Sequence, residues 1–134
     1  MAEQLVLDES AVQEHFFEQG WTDGLPIVPP TPDRVAAMLA AGWVEADELL
    51  GTVPQRNLSI SAEKLAINAV MAGCAPEYFP VVIAAMQAAL DPGFNINAAI
   101  TSTGGAALCL VVSGPIAQEI GMASKHNALG SGNR

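Results

Sequence analysis

Residues 80–90, PVVIAAMQAAL, place an apolar side chain on nearly every side of a helix. Pro80 opens it, since a proline in the first turn gives up no hydrogen bond, and Asp91-Pro92-Gly93 end it. An amphipathic helix needs one neighbour, whereas a helix that is apolar all round must be covered on more than one face. The pattern therefore predicts a central helix over 80–90 with the other elements arranged about it. The 134 residues supply one domain, 1–134, whose core is large enough to need no staple.

What surrounds that helix is short and sharply punctuated. Ser10 and Gln13 have capping-box spacing and predict a first helix in which Val12, Phe16 and Phe17 share a face, ended by Gly20. Asp23-Gly24 then marks a turn, and the prolines of LPIVPPTP stiffen an extended arm without many backbone donors. The first 31 residues thus form a helix and a proline-rich arm, and residues 32–134 form the core.

Thr31-Pro32 predicts the start of a second helix with Val35, Met38 and Leu39 inward. ADELLG, 46–51, predicts a further turn of helix ended by Gly51, and TVPQRNLSIS a loop or edge strand. Ser61 caps a third helix whose stripe is Leu65, Ala66, Ala69 and Val70, and Gly73 stops it. In the last third, AALCLVVSGP is β-prone and too apolar for an exposed strand, so it predicts a buried one. Cys109 then belongs to the core. Gly114-Pro115 turns the chain into a short helix. The fold class expected is α+β or α/β, helix-rich, with a short buried β-sheet in the C-terminal third.

Charge narrows the function classes. The formal net charge of −9, with five Lys and Arg in all, argues against nucleic acid and anionic lipid as partners, because neither polyanion gains from this surface. Only 14% of residues are charged while 51% are hydrophobic, so part of the surface is expected to be covered by another subunit, of the same kind or a different one. The apolar stretches are broken before the ~20 residues of a membrane helix. Two cysteines in apolar surroundings and an N-terminus without a basic head and hydrophobic core point to a reducing cytoplasm.

Cys74, in MAGCAPEYFP, lies between two helices, where the N–H groups around 76–79 would lower a thiol pKa and favour thiolate. The competing reading is a small buried residue at a helix junction. His126, in a Gly- and Ser-rich loop between Lys125 and Asn127, is the better general base of the two histidines, with His15 facing solvent on the first helix. If folding joins them, Cys74 as nucleophile, His126 as acid/base and Glu77 or Asn127 as orienting group make an acyl-transfer or addition site. Thr101, Ser102, Thr103, Gly104 and Gly105 offer hydroxyls and glycine N–H groups to a carboxylate, phosphate or oxyanion, or else form a turn.

Lys125 and Arg134 flank His126 as a positive mouth for a small anion, and Asp23 beside Trp21 sits where the arm meets either a ligand or a neighbouring subunit. No P-loop, dinucleotide fingerprint or metal-ligand spacing assigns a cofactor or a metal.

The segments GWTDGLPIVPPTPDRVAAML, KLAINAVMAGCAPEYFPVVIAAM, ITSTGGAALCLVVSGPIAQEIG and HNALGSGNR together resemble a bacterial and archaeal family of unassigned activity, associated with UGSC-type selenoproteins and labelled with the glycine reductase selenoprotein B group. The resemblance covers most of the chain. It implies a longer protein, of which this chain is a truncated or divided version whose C-terminal half another polypeptide supplies. The UGSC motif and any Cys-x-x-Cys are absent, against a thioredoxin-like role. Three functions follow as expectations: a small oligomeric enzyme of lyase, hydrolase or hydratase type acting on a small organic molecule, a non-catalytic subunit completing a hetero-oligomeric enzyme, or a selenium- or thiol-linked redox protein.

Overall fold

A computed structural model describes residues 11–101, 103–124 and 126. The described elements run α1 (Val12–Glu18), α2 (Pro32–Gly42), β1 (Leu49–Val53), β2 (Leu58–Ser61), α3 (Ala62–Met71), α4 (Phe79–Leu90), α5 (Ile96–Thr101) and α6 (Pro115–Glu119), with 3-10 turns at Pro54–Arg56 and Pro76–Tyr78. The chain is a helix-rich α+β domain, as the sequence predicts. Its core lies where α2, α3, α4 and β1 meet, and Phe79 and Met38 are its largest fully enclosed side chains. No described polar or charged residue is buried.

The central helix forms at Phe79–Leu90, one residue earlier than predicted. Phe79, Ile83 and Ala89 are buried on one face, but Ala84, Gln87 and Ala88 are exposed. The second face that its composition demands is therefore only partly covered. Gly42, at the end of α2, is what lets that helix lie against α4, since a Cβ there would stand 2.6 Å from Ile83 Cδ1 and 2.7 Å from Phe79 Cδ1.

Residues 46–51 correct the expectation of helix. They make a turn and enter β1, which pairs antiparallel with β2 in the register Leu49↔Ser61, Gly51↔Ile60, Thr52↔Ser59 and Val53↔Leu58. The irregularity between Leu49 and Gly51 is the physical reason that Leu50 and Val53, three apart, both point inward, where strict alternation would turn one of them out. Gly51 is not a helix stop. It is the place where Leu90 of α4 presses on the strand, since a Cβ would meet Leu90 Cδ1 at 2.7 Å.

Among the described residues the sheet is thus this hairpin in the middle of the chain, and none forms in the C-terminal third. Residues 106–113 form neither helix nor strand and pair with no described strand, and Leu108, Cys109, Leu110 and Val111 are exposed. Cys109 is accordingly not core. β-propensity alone does not make a strand, which needs a neighbouring strand to pair with.

The N-terminal helix and the arm fold onto their own chain. The Gln13 side chain donates to the Ile27 carbonyl at 2.9 Å and accepts from the Ile27 N–H at 3.2 Å, so it serves the arm and not a capping box. Ser10 lies outside the described residues, and α1 starts after Ala11 with no side-chain cap. Phe16 is buried against Trp21, ring centroids 5.6 Å apart, whereas Phe17 is exposed. The Val28 N–H donates to the Met71 carbonyl at 3.2 Å, anchoring the proline strip across the end of α3. Thr31 precedes α2 as predicted, with Pro32 in its first turn, but its hydroxyl makes no cap bond.

Candidate functional site

Cys74 is placed by the way α3 ends. Gly73 takes a left-handed conformation, φ 80°, its N–H donates to the Val70 carbonyl at 2.8 Å, and the Cys74 N–H donates to Ala69 at 3.0 Å. This double closure satisfies the last carbonyls of the helix and leaves the next side chain facing back toward the helix's apolar stripe, a position commonly filled by a hydrophobic residue. The thiol does so here: Cys74 is half-buried against the core cluster and shares a cavity of ≈ 230 Å³ with Val28, Ala37, Met38, Val70 and Pro76, with Arg34 at its edge.

Burial pushes the Cys74 thiol above its ordinary value of 9.0. The direction is opposite to the activation expected from the N–H groups at 76–79. Pro76 contributes no N–H, and the Tyr78 N–H is already given to the Ala75 carbonyl at 3.0 Å. At neutral pH the thiol is therefore protonated, which is the unreactive form. The Arg34 guanidinium is anchored on the arm, its Nη1 donating to the Pro29 carbonyl at 2.9 Å.

The other predicted site residues are not among the cavity's lining residues. Glu77 is exposed on the turn before α4, and His126 is exposed in the C-terminal loop. Thr101 closes α5, its hydroxyl donating to the Asn97 carbonyl at 2.6 Å, so the helix already uses the donor that an anion cradle requires. Thr103, Gly104 and Gly105 are exposed beyond it. Asp23 is exposed and accepts from the Leu25 N–H at 3.4 Å within its own turn, alongside the Thr22 hydroxyl donating to the Leu25 carbonyl at 2.6 Å. Ser102, Lys125, Asn127 and Arg134 lie outside the described residues. Among the described residues no group of three or more His, Cys, Asp or Glu is arranged to hold a metal ion.

The feature that sequence reasoning missed is a groove of ≈ 440 Å³ between α4 and the segment 110–116, walled by Val81, Ala84, Ala85, Leu110, Val112 and Ile116. Its signal was present: no charged residue stands between Asp91 and Glu119. Arg56 holds the start of that region in place, donating from Nε to Asn97 Oδ1 on α5 at 3.2 Å.

No family model matches the sequence, and the comparisons with curated proteins and with solved structures found no match. Among the described residues no helix is long and apolar enough to cross a membrane.

Proposed function

We propose that this chain acts as one subunit of a hetero-oligomeric enzyme and is brought to its working form by a second polypeptide. One observation carries the reading: the apolar segment 106–113 stands open beside the half-covered α4, with Val111 89% exposed and Leu110 59% exposed. Leaving such a patch in water forgoes about 25 cal/mol per Å² of apolar area, and contiguous patches of this kind mark association surfaces. The state of Cys74 fits as well. A protonated thiol with no base or carboxylate lining its cavity is not a working nucleophile, so catalysis by this chain would require groups from elsewhere.

A second reading, an enzyme acting through Cys74 on a small organic molecule, has the cavity in its favour. At ≈ 230 Å³ the cavity falls below the roughly 300–1,000 Å³ of drug-sized sites, so its occupant would be small. In both readings the compartment is the reducing cytoplasm, in keeping with two free thiols.

The test is binding of an apolar-surface dye to the purified chain and to the double variant Leu110→Asp/Val111→Asp. Strong dye fluorescence in the parent and its loss in the variant, with unchanged far-UV circular dichroism, are expected. A parent chain that stays monomeric and binds no more dye than the variant would refute the subunit reading.

A further inference from the structure

The cavity beside Cys74 is graded from dry to wet. Of its lining, Met38 and Val70 are buried, Val28 and Cys74 are half-buried, and Arg34 and Pro76 are exposed. Arg34 is the only charged residue that lines it. A single guanidinium beside an apolar hollow is complementary to a molecule built the same way, with a charged head and a hydrocarbon tail.

The donors around the cavity say which charge the head carries. The Gly73 and Cys74 N–H groups are used in closing α3, the Val28 N–H goes to the Met71 carbonyl, and Pro76 has none. The Arg34 fork remains: Nη1 serves the Pro29 carbonyl, and the rest of it has no partner among the described residues. A guanidinium only donates, and its planar fork matches the two oxygens of a carboxylate. From this we infer that the cavity binds a small monocarboxylate with a short aliphatic tail, the carboxylate on Arg34 and the tail against Val28, Met38 and Val70.

Size and charge limit the occupant further. A volume of ≈ 230 Å³ is room for about eight waters at ~30 Å³ each, too little for a long acyl chain. An inorganic anion would leave the apolar lining uncovered. The chain's net charge of −9 is felt over only about 8 Å at physiological ionic strength, and Asp33 and Glu77, which neighbour Arg34 and Pro76 in sequence, are exposed to solvent that screens them. The protonated Cys74 thiol adds no negative charge to the site. The inference rests on the second reading for its cavity alone and asks no reaction of the sulfur.

The experiment is a methyl NMR titration of the full chain with 3-methylbutanoate, with 3-methylbutanamide as the neutral isostere and acetate as the head without the tail. The acid should give saturable shifts at the Val28, Met38 and Val70 methyls and none at Val81 and Val112, which line the other groove. The amide and acetate should each bind about tenfold more weakly. Arg34→Gln, whose side-chain amide can still donate to the Pro29 carbonyl, should bind acid and amide alike. Cys74→Ala should bind the acid as the parent does.

Four results would overturn the inference: no saturable shift, equal binding of acid and amide by the parent, a preference for the acid that survives Arg34→Gln, or binding lost in Cys74→Ala. Alkylation of Cys74 tests the second reading separately, since an inert thiol would sink that reading and leave the binding site standing.

Discussion

Gly42→Ala tests the contact on which the α2–α4 packing rests. The new Cβ would lie 2.6 Å from Ile83 Cδ1, 2.7 Å from Phe79 Cδ1 and 3.1 Å from Phe79 Cε1, all well inside van der Waals contact. Phe79 is completely buried and Ile83 is 7% exposed, so neither has free space to move into. Overpacking of this kind costs about 1–3 kcal/mol. Alanine's better helix propensity returns at most about 1 kcal/mol, and less at the last position of a helix.

The net expectation is a loss of about 1.5 kcal/mol, or roughly 6 °C in Tm for a domain of this size. Urea unfolding at equal m-values measures it. Ile83→Val provides the internal check, because it removes the Cδ1 atom that makes the shortest contact. By itself it costs about 0.5–1.5 kcal/mol, and in the Gly42→Ala background it should cost distinctly less. Strict additivity in this double-mutant cycle, or a Gly42→Ala protein as stable as the parent, would refute the packing argument.

Other outcomes are open to simple assays. Cys109 is exposed and Cys74 half-buried, so a disulfide reagent at pH 8 should react first with Cys109, and equal rates for the two thiols would contradict the placement of Cys74. Because burial raises the Cys74 pKa, the folded state holds its proton more tightly than the unfolded chain does. The thiol's contribution to stability is then present below the ordinary value of 9.0 and is lost as pH rises from there through the folded pKa, and Cys74→Ala should remove that part of the alkaline slope. Ser61→Ala deletes the oxygen that accepts from the Lys64 N–H at 3.3 Å and should cost about 1 kcal/mol by urea unfolding. Trp43, 86% exposed with φ 51°, holds the left-handed position after α2, so Trp43→Gly should stabilise the chain by about 1 kcal/mol.

What could be read from the sequence were the features set by neighbours along the chain. Ser61 with the stripe Leu65, Ala66, Ala69 and Val70, Pro32 at the start of α2, and Asp91 at the end of α4 are local signals, each decided within a turn or two of backbone. The absence of charge between Asp91 and Glu119 is also plain in the sequence, but it does not say whether that stretch is buried or exposed.

Tertiary structure decided the rest. ADELLG has acceptable helix propensity, yet Leu50 and Val53 gain more by entering the core beneath α4 in a bulged hairpin, a gain that exists only once α4 is in place. Cys74 could not be assigned from its neighbours, because proximity to a helix start argues for a thiolate while enclosure by Val28, Met38 and Val70 argues for a neutral thiol, and only the packed arrangement gives the second its weight. Residues 106–113 carry the composition of an interior strand, but strand pairing is a relation between two segments, and composition names only one of them.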